Sequence, residues 1–393
     1  MNDLERAKAI LPEMIANRRF LHQNPEIGMN LKVTTEFIMK KLSEMGIEPK
    51  LCGGCGVTAL IGGKKEGPVF LLRADMDALP MTEESGLEFA STNNAAHCCG
   101  HDMHAAMLLG AAKILKEQEE ELPGTVKLMF QPGEETLEGA KAMIADGILE
   151  NPHVDAAMGV HMAPLAPAGF VGYNAGVVCN SSDLLDITIT GKGGHGASPH
   201  NSIDPINVGV HMHLALQELI AREVDPQDQA ALTFGRFNSG DADNIIPKTA
   251  SLGGTLRTVK QETREYLLER IKTCVDMTAK MFRAEAKLDI PASVSALTVD
   301  EECADIIGKE FSETLGKAAM RVNQTTSGSE DFAEVSRLVP SMFFVVGGGD
   351  CEHGYKYAGH HPKVRYDEMS LVSGAAAFAC GAKAYLAAGG KKE

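Results

Sequence analysis

The chain has no tryptophan, few aromatic residues, too few basic residues to balance its acidic ones, and no long apolar segment. Its 393 residues include 53 Asp and Glu against 37 Lys and Arg, a net charge of -16. This balance excludes the basic surface that nucleic acids require and disfavours docking on anionic membranes. No uninterrupted apolar run reaches about 18 residues, so we expect no segment to span a bilayer. With 44% hydrophobic and 23% charged residues, the composition is that of a folded protein of about two domains.

We also expect no signal peptide, because charges occupy the amino-terminal segment MNDLERAKAILPEM, where such a peptide has its apolar stretch. The nine cysteines cannot all pair within the chain, since their number is odd. We therefore expect a cytoplasmic protein whose thiols stay reduced and are mostly small buried side chains. Cys52 and Cys55 form a C-x-x-C pattern that could belong to a redox or zinc site. Their glycine-rich surroundings, LCGGCGV, favour a turn before a strand.

Alternating helical and strand patterns over the first 180 residues predict an α/β layer with a largely parallel sheet. The predicted strands here are 57–62, 68–74, 124–131 and 154–161, and the predicted helices are 5–22, 31–45, 103–118 and 138–149. Residues 183–291 instead follow the order β-α-β-β-α-β of a ferredoxin-like unit. Helix and strand patterns then alternate again, with helices at 299–315 and 369–388 and a strand at 341–346.

These patterns predict an α/β protein of two domains. The catalytic domain, formed by 1–180 and 295–393, has a mixed, largely parallel sheet flanked by helices. An inserted ferredoxin-like α+β domain, the lid, occupies 181–294.

The segment HCCGHDMH, residues 97–104, contains six potential metal ligands in eight residues. A thiolate and an imidazole two positions apart, such as Cys99 and His101, can face one cation when a glycine lets the backbone bend between them. No second Cys/His pair follows at zinc-finger spacing, so the other ligands must come from distant segments, which favours a catalytic site over a structural one. We regard Asp102 as part of the same candidate group. His104 taken alone is explained by the start of a helix, and His97 alone by an exposed position.

Further candidates follow two predicted strands. Glu134 and Glu135 come directly after one strand in QPGEE, and His161 ends the next in GVH. The carboxyl ends of strands are where α/β proteins bind their ligands. At such a position one glutamate can bind a metal while its neighbour acts as a base. The segment GHHP adds His360 and His361. The glycine-rich GKGGHGASPH lacks the P-loop spacing, and no G-x-S-x-G elbow of a serine hydrolase is present.

Taken in order, these motifs resemble the metal-dependent N-acyl-amino-acid amidohydrolases, the aminoacylase, hippurate-hydrolase and auxin-conjugate-hydrolase branch of the dinuclear metallocarboxypeptidases. The motifs are LHQNPEIG, LRADMDALP, HCCGHDMH, FQPGEE, GVH, GKGGHGASPH, SGSEDF and HHPK. The resemblance implies hydrolysis of the amide bond of N-acyl amino acids, with dipeptidase or carboxypeptidase activity at the same site as the alternative. It also implies two divalent ions per subunit (Zn, Mn, Co or Ni), a small-molecule substrate and a homodimer formed through the lid.

The resemblance also implies a role for each matched residue. The implied metal ligands, of which Cys99 bridges the two ions, are Cys99, His101, Glu135, His161 and His360. Glu134 is implied to be the general base, and Asp77 to orient His101 through its other ring nitrogen. In the lid, His195 is implied to stabilise the oxyanion, either in its own subunit or in the site of the partner subunit. The candidates for binding the substrate carboxylate are Asn244 and Arg257.

The chain departs from the family pattern at three places. Cys98 stands where a small residue such as alanine is usual, which leaves open which of two adjacent sulfurs binds metal. Gly133 replaces the commoner alanine, and FNSGDADNIIP has an altered glycine pattern around Asn244. His360 is preferred to His361 because the family histidine stands two positions before the proline. A scaffold with a decayed site and a metal-storage or sensing protein are the alternatives outside enzymes. Decay would have removed a ligand, and storage has no use for Glu134.

Overall fold

The computed structural model describes residues 1–322, 325–326 and 328–389. The helices within them are α1 (Asp3–Ala9), α2 (Leu11–Gln23), α3 (Lys32–Glu44), α4 (His101–Glu117), α5 (Gly139–Ala145), α6 (Pro205–Glu223), α7 (Gln261–Met281), α8 (Glu301–Leu315), α9 (Ala333–Ser336) and α10 (Ser370–Ala387). The strands are β1 (Pro49–Cys52), β2 (Gly56–Gly62), β3 (Val69–Asp75), β4 (Thr125–Gln131), β5 (Ala156–Ala163), β6 (Val171–Tyr173), β7 (Gly176–Cys179), β8 (Ser182–Thr190), β9 (Gly194–His195), β10 (Ala230–Ser239), β11 (Ile245–Ile246), β12 (Thr249–Thr258), β13 (Glu285–Asp289), β14 (Ser293–Val294), β15 (Leu297–Val299), β16 (Ala319–Arg321) and β17 (Ser341–Gly347).

The chain divides into two compact units. The residues of the first unit are 1–178, 298–324 and 331–393, and those of the second are 179–297 and 325–330. The inserted domain predicted from the sequence, 181–294, is slightly shorter than the main segment of the second unit. The short segment 325–330 has no pattern that would assign it to that unit.

An eight-stranded mixed sheet forms the centre of the first unit, in the order β1-β2-β4-β3-β5-β17-β6-β16. The four middle strands, β4, β3, β5 and β17, run parallel, and β2 and β6 are antiparallel to their neighbours in this group. Every residue of β3 and β4 is buried, as expected for parallel strands covered on both faces. The predicted α/β class with a largely parallel sheet is confirmed.

Helix α10 packs against α4 and α8 in the first unit. Among the described residues it is the single helix long and apolar enough to cross a membrane, and 83% of its residues are buried inside the protein. Core helices meet the same criteria of length and composition, and this degree of burial is that of a core helix.

The second unit has an antiparallel sheet in the order β10-β12-β8-β13. The chain order β8-α6-β10-β12-α7-β13 confirms the predicted ferredoxin-like arrangement. Ile187 and Leu252 of the sheet pack with Met212 of α6 and Ile271 of α7 in a fully buried core.

The single helix predicted over 5–22 is wrong. Helix α1 ends before Ile10, and α2 starts at Leu11 with Pro12 in its first turn. Proline has no N–H to donate and its ring clashes with the preceding turn, so a continuous helix cannot pass through Pro12.

The turn favoured for the C-x-x-C segment is confirmed. Cys52 ends β1, and two glycines of positive φ lead into β2. The Sγ of Cys52 contacts the Met143 carbonyl, and that of Cys55 contacts the Met29 carbonyl. Burial raises the pKa of both thiols, that of Cys52 to about 11. All nine cysteines are free, and these two have neither the thiolate character nor the shared partner that redox chemistry requires.

Candidate active site

The candidate site lies at the carboxyl ends of the middle strands of the first unit. Asp77 follows β3, Glu134 and Glu135 follow β4, and His161 lies near the end of β5. Because these strands are parallel neighbours, their carboxyl ends meet at one edge of the sheet. His101 begins α4 at the same edge, since Gly100 with φ 95° turns the backbone directly into the helix.

Among the described residues, five overlapping groups of side chains bring donor atoms within 4.8 Å of one another, and three of these groups consist entirely of predicted ligands and the predicted base. Cys99 belongs to two of them, one with His101 and His161 and the other with Glu135 and His360. Its Sγ lies 3.3 Å from His161 Nε2 and 3.2 Å from His360 Nε2. The structure thus places Cys99 between two sets of potential ligands.

The third group joins His101 to both glutamates. His101 Nε2 lies 3.9 Å from Glu134 Oε2 and 3.9 Å from Glu135 Oε1. Glu135 Oε1 is also 3.4 Å from His360 Nε2. The five predicted ligands and the predicted base are therefore gathered in one place in the first unit.

This donor set fits a metal ion. His101 Nε2 and Glu135 Oε1 are buried without a hydrogen-bond partner among the described residues, although buried polar atoms nearly always have one. Imidazole nitrogen, thiolate sulfur and carboxylate oxygen together suit divalent ions such as Zn, Co, Ni or Mn. Burial raises the pKa of the Cys99 thiol well above its usual range. A coordinated cation reverses that effect, because a coordinating thiol is deprotonated.

Asp77 holds two parts of the site together, in a way that differs in detail from the expectation. His101 Nδ1 donates to the backbone carbonyl of Asp77 at 2.9 Å, whereas the Asp77 carboxylate oxygen lies 3.4 Å away. The carboxylate instead accepts the backbone N–H groups of Glu134 at 3.0 Å and Glu135 at 3.2 Å. Asp77 therefore orients His101 with its main chain and fixes the two glutamates with its side chain.

Hydrogen bonds to the ring nitrogens fix the orientation of His161 and His104. His161 Nδ1 donates to the Met162 carbonyl at 2.7 Å, which turns Nε2 towards Cys99. His104 is fully buried, and both of its ring nitrogens are engaged, by Asp75 and by the Met162 N–H. Burial lowers the pKa of His104 to about 4. Its explanation as a mere helix start missed these contacts, and its position one turn after His101 was the available signal.

Asp102 does not join the donor groups, so its assignment to them is wrong. Its carboxylate accepts from Arg18 Nε at 2.7 Å and contacts His22 Nδ1 at 2.8 Å. The other His22 nitrogen contacts Glu83. His22 thus explains part of the LHQNPEIG motif, whereas Arg18, which lies outside every motif, was missed.

The exposed position expected for His97 is also wrong. Its side chain is buried, and this burial lowers its pKa to about 4. The sequence around His97, a histidine followed by two cysteines, does not indicate whether its side chain is buried or exposed.

The carboxyl-terminal part of the chain contributes His360 to the site. The backbone carbonyl of Cys98 accepts the His360 N–H at 3.0 Å and the Tyr366 hydroxyl at 3.2 Å. The Cys98 thiol belongs to none of the donor groups, and burial raises its pKa to about 12. His361 stacks on Tyr357, with 4.3 Å between ring centroids. Of the two adjacent histidines, the structure brings His360 to Cys99.

The other predicted residues lie in the second unit. His195 pairs with Ile245 across β9 and β11, and the Gly196 N–H donates to the Asn244 carbonyl at 2.9 Å. His195 and Asn244 are therefore neighbours, and both are exposed. Arg257 lies in β12, where its Nη1 is buried without a hydrogen-bond partner among the described residues.

Comparison with known proteins identifies the family. The model of peptidase family M20/M25/M40 matches residues 71–384. The chain belongs to this family. N-acetyl-L-cysteine deacetylase of Bacillus subtilis (strain 168) is 37% identical, over 92% of this chain and 85% of that protein. IAA-amino acid hydrolase ILR1-like 2 of Arabidopsis thaliana is 37% identical, over 98% of this chain and 88% of its own length.

A solved structure shows the same fold along nearly all of the chain. It is a Bacillus subtilis protein described as a dinuclear metal binding peptidase from the M20 family. It superimposes with a TM-score of 0.82 at 32% identity, covering 97% of this chain and 99% of that one. The resemblance read from the motifs is confirmed. This M20/M25/M40 chain is a metal-dependent hydrolase.

Proposed function

We propose that the chain hydrolyses the amide bond of N-acyl amino acids, releasing a carboxylic acid and a free amino acid. The observation that carries this proposal is the convergence of four other potential metal ligands on Cys99, with Glu134 beside them. A metal-storage site needs no such additional carboxylate. The relatives named as an N-acetyl-L-cysteine deacetylase and an IAA-amino acid hydrolase support the class of substrate.

Two divalent ions, Zn, Mn, Co or Ni, would share Cys99. His101 and His161 would complete one set of ligands, and Glu135 and His360 the other. When bound, the ions would lower the pKa of water and polarise the acyl carbonyl.

Glu134 is the proposed general base. Its backbone N–H donates to the Asp77 carboxylate, which holds the residue beside the metal ligands. Glu134 takes a proton from the attacking water and then passes it to the nitrogen of the leaving amine. The same carboxylate thereby serves both halves of the reaction.

The second unit would supply the substrate contacts. His195 is the proposed donor to the oxyanion that develops on the acyl oxygen. Asn244 and Arg257 are the proposed partners of the amino acid's carboxylate. The buried Nη1 of Arg257, which has no hydrogen-bond partner in the described part of the chain, supports an anionic ligand there.

Dipeptidase or carboxypeptidase activity is the second candidate, because the same side chains could cleave a peptide bond. Thermostable carboxypeptidase 2 of Saccharolobus solfataricus is 34% identical, over 95% of both chains. Its name supports this alternative.

A substrate panel distinguishes the two candidates. Chelator-stripped protein is reloaded separately with Mn, Zn, Co and Ni, and offered N-acetyl, N-benzoyl and N-fatty-acyl amino acids together with dipeptides. We expect metal-dependent release of free amino acid from the N-acyl compounds, with kcat/KM above that for dipeptides. Hydrolysis restricted to peptides, or unaffected by stripping, would contradict the proposal.

The proposal includes a homodimer formed through the second unit. Helix α6 presents an apolar stripe, Ile206, Val210 and Leu214, whose side chains are 40%, 45% and 59% exposed. These residues are four positions apart and share one helix face. Strand β10 ends the sheet of this unit and offers an edge to which a second copy could pair. An exposed apolar stripe in the same unit as an open sheet edge is typical of a protein interface.

A cytoplasmic location completes the proposal. All nine cysteines are free, and most of them are buried. This cysteine usage is typical of a reducing compartment.

A further inference from the structure

The two central strands of the first sheet separate before they reach the site. β3 and β5 pair from Phe70 opposite Ala156 to Arg73 opposite Gly159. Beyond that point β3 stays with β4, and β5 stays with β17 up to Ala163. We call this separation the crevice. It lies between His161 of β5 and the site residues on the other side, Asp77 after β3 and Glu135 after β4.

His104 fills this separation and joins its two sides. Its Nδ1 contacts the Asp75 carboxylate at the end of β3, and its Nε2 accepts the Met162 N–H of β5 at 2.7 Å. An amide can only donate, so Nε2 is the acceptor and Nδ1 carries the proton that Asp75 accepts. The imidazole thereby satisfies a strand amide beyond the last residue pair between β3 and β5.

The Asp75 end of this bridge is itself immobilised. Arg73 Nη1 donates to Asp75 at 2.8 Å, and Arg73 Nη2 donates to Asp331 at 3.0 Å. All three side chains are fully buried. Since Arg73 fixes the Asp75 carboxylate, the position of His104 determines where the Met162 amide lies.

We propose that His104 is a positioning residue that sets the distance between His161 and the ligands on the other side of the crevice. This inference rests on the proposed function, because it concerns the site at which the two ions would bind. The His104 ring centroid lies 5.0 Å from that of His161 and 5.3 Å from that of His101. His104 forms a further donor group with Asp75 and His101, but we do not assign it as a ligand because both of its nitrogens are engaged. It acts through Met162, the residue that follows His161.

Two amide replacements separate the halves of the bridge. In His104→Gln the side-chain oxygen can reach the position of Nε2 and accept the Met162 N–H. In His104→Asn the shorter amide can donate to Asp75 but cannot reach Met162. Stripped wild-type and variant proteins are titrated with Co²⁺, and affinity, stoichiometry and the thiolate-to-cobalt absorption band are recorded.

We expect His104→Asn to bind Co²⁺ about 10–100-fold more weakly than the wild type, the usual effect of losing a partner that orients a metal ligand. We expect His104→Gln to remain within a few-fold of the wild type. Lys127→Met is the control for lost buried polar contacts, because Lys127 bonds the carbonyls of Glu150 and Pro152. It should lower stability and leave Co²⁺ binding unchanged.

Wild-type Co²⁺ binding by His104→Asn, or equal losses in both amide variants, would overturn the proposal. If neither variant folds, the ¹⁵N shifts of the His104 ring in the wild type decide. A protonated Nδ1 supports the bridge, and a protonated Nε2 refutes it because that nitrogen could not accept from Met162. A cobalt-loaded wild type without activity on N-acyl amino acids would contradict the proposed function alone, since the binding comparison does not depend on turnover.

Discussion

At the scale of single residues, the direction in which a side chain points decides whether it joins the site, even between adjacent residues that could both bind metal. Cys98 and Cys99 are adjacent and buried, yet only the Cys99 sulfur reaches His161 and His360. His101 and Asp102 are also adjacent, and Asp102 turns to Arg18 instead. The sequence could identify the segment that holds the ligands. The sequence could not show which of two adjacent residues in that segment faces the site, because the direction of each side chain depends on where Gly100 turns the backbone into α4.

The two cysteines provide a direct test at this scale. Cys99→Ala should lose bound metal, since its sulfur is common to two donor groups. Cys98→Ala should retain it, because Cys98 contributes its backbone carbonyl, which alanine also has. Metal per subunit is measured by elemental analysis after dialysis. Equal losses from the two variants would show that the shared ligand is misassigned.

At the scale of helices and strands, the sequence predicted the strands that carry the ligands, because parallel strands buried on both faces are continuous apolar runs. It could not predict the buried polar network behind them. Arg73 and Asp75 lie within the apolar strand β3 and pair with each other, and Arg73 also pairs with Asp331, which is 258 residues away along the chain. Such a partner has no local pattern.

Removal of the Arg73 guanidinium should therefore be costly. Arg73→Met leaves two fully buried carboxylates without their cation, and breaking a buried pair in this way costs about 3–5 kcal/mol. Arg236→Met is the matched control, since its pair with Asp186 is about half exposed and exposed pairs contribute about 0–1 kcal/mol. Denaturant unfolding followed by circular dichroism measures both. A smaller loss for Arg73→Met than for the control would refute this account of the network.

At the scale of the whole molecule, the change from α/β alternation to β-α-β-β-α-β order reveals the inserted unit because each pattern requires its own sheet. Residues 325–330 escape such reasoning. Their sequence, TTSGSE, contains no periodicity, and only the fold assigns them to the second unit.

The proposed dimer makes a prediction at this scale. A Val210→Glu, Leu214→Glu double variant places two charges in the exposed stripe of α6 and should sediment as a monomer while the wild type sediments as a dimer. Met277→Glu on α7 is the control, because Met277 is an apolar side chain of the same unit that is 58% exposed. It should remain dimeric. An unchanged double variant, or equal dissociation of the control, would exclude α6 as the interface.

The central claim is that Glu134 acts as the base beside a metal site that it does not build. The decisive measurement is kcat together with metal content for Glu134→Gln, with the exposed Glu138→Gln as control. The account predicts a wild-type metal content and a kcat lowered by about 10²–10⁴-fold, the usual contribution of a general base, with Glu138→Gln unaffected. A Glu134→Gln protein that turns over N-acyl amino acids at nearly the wild-type rate would contradict it.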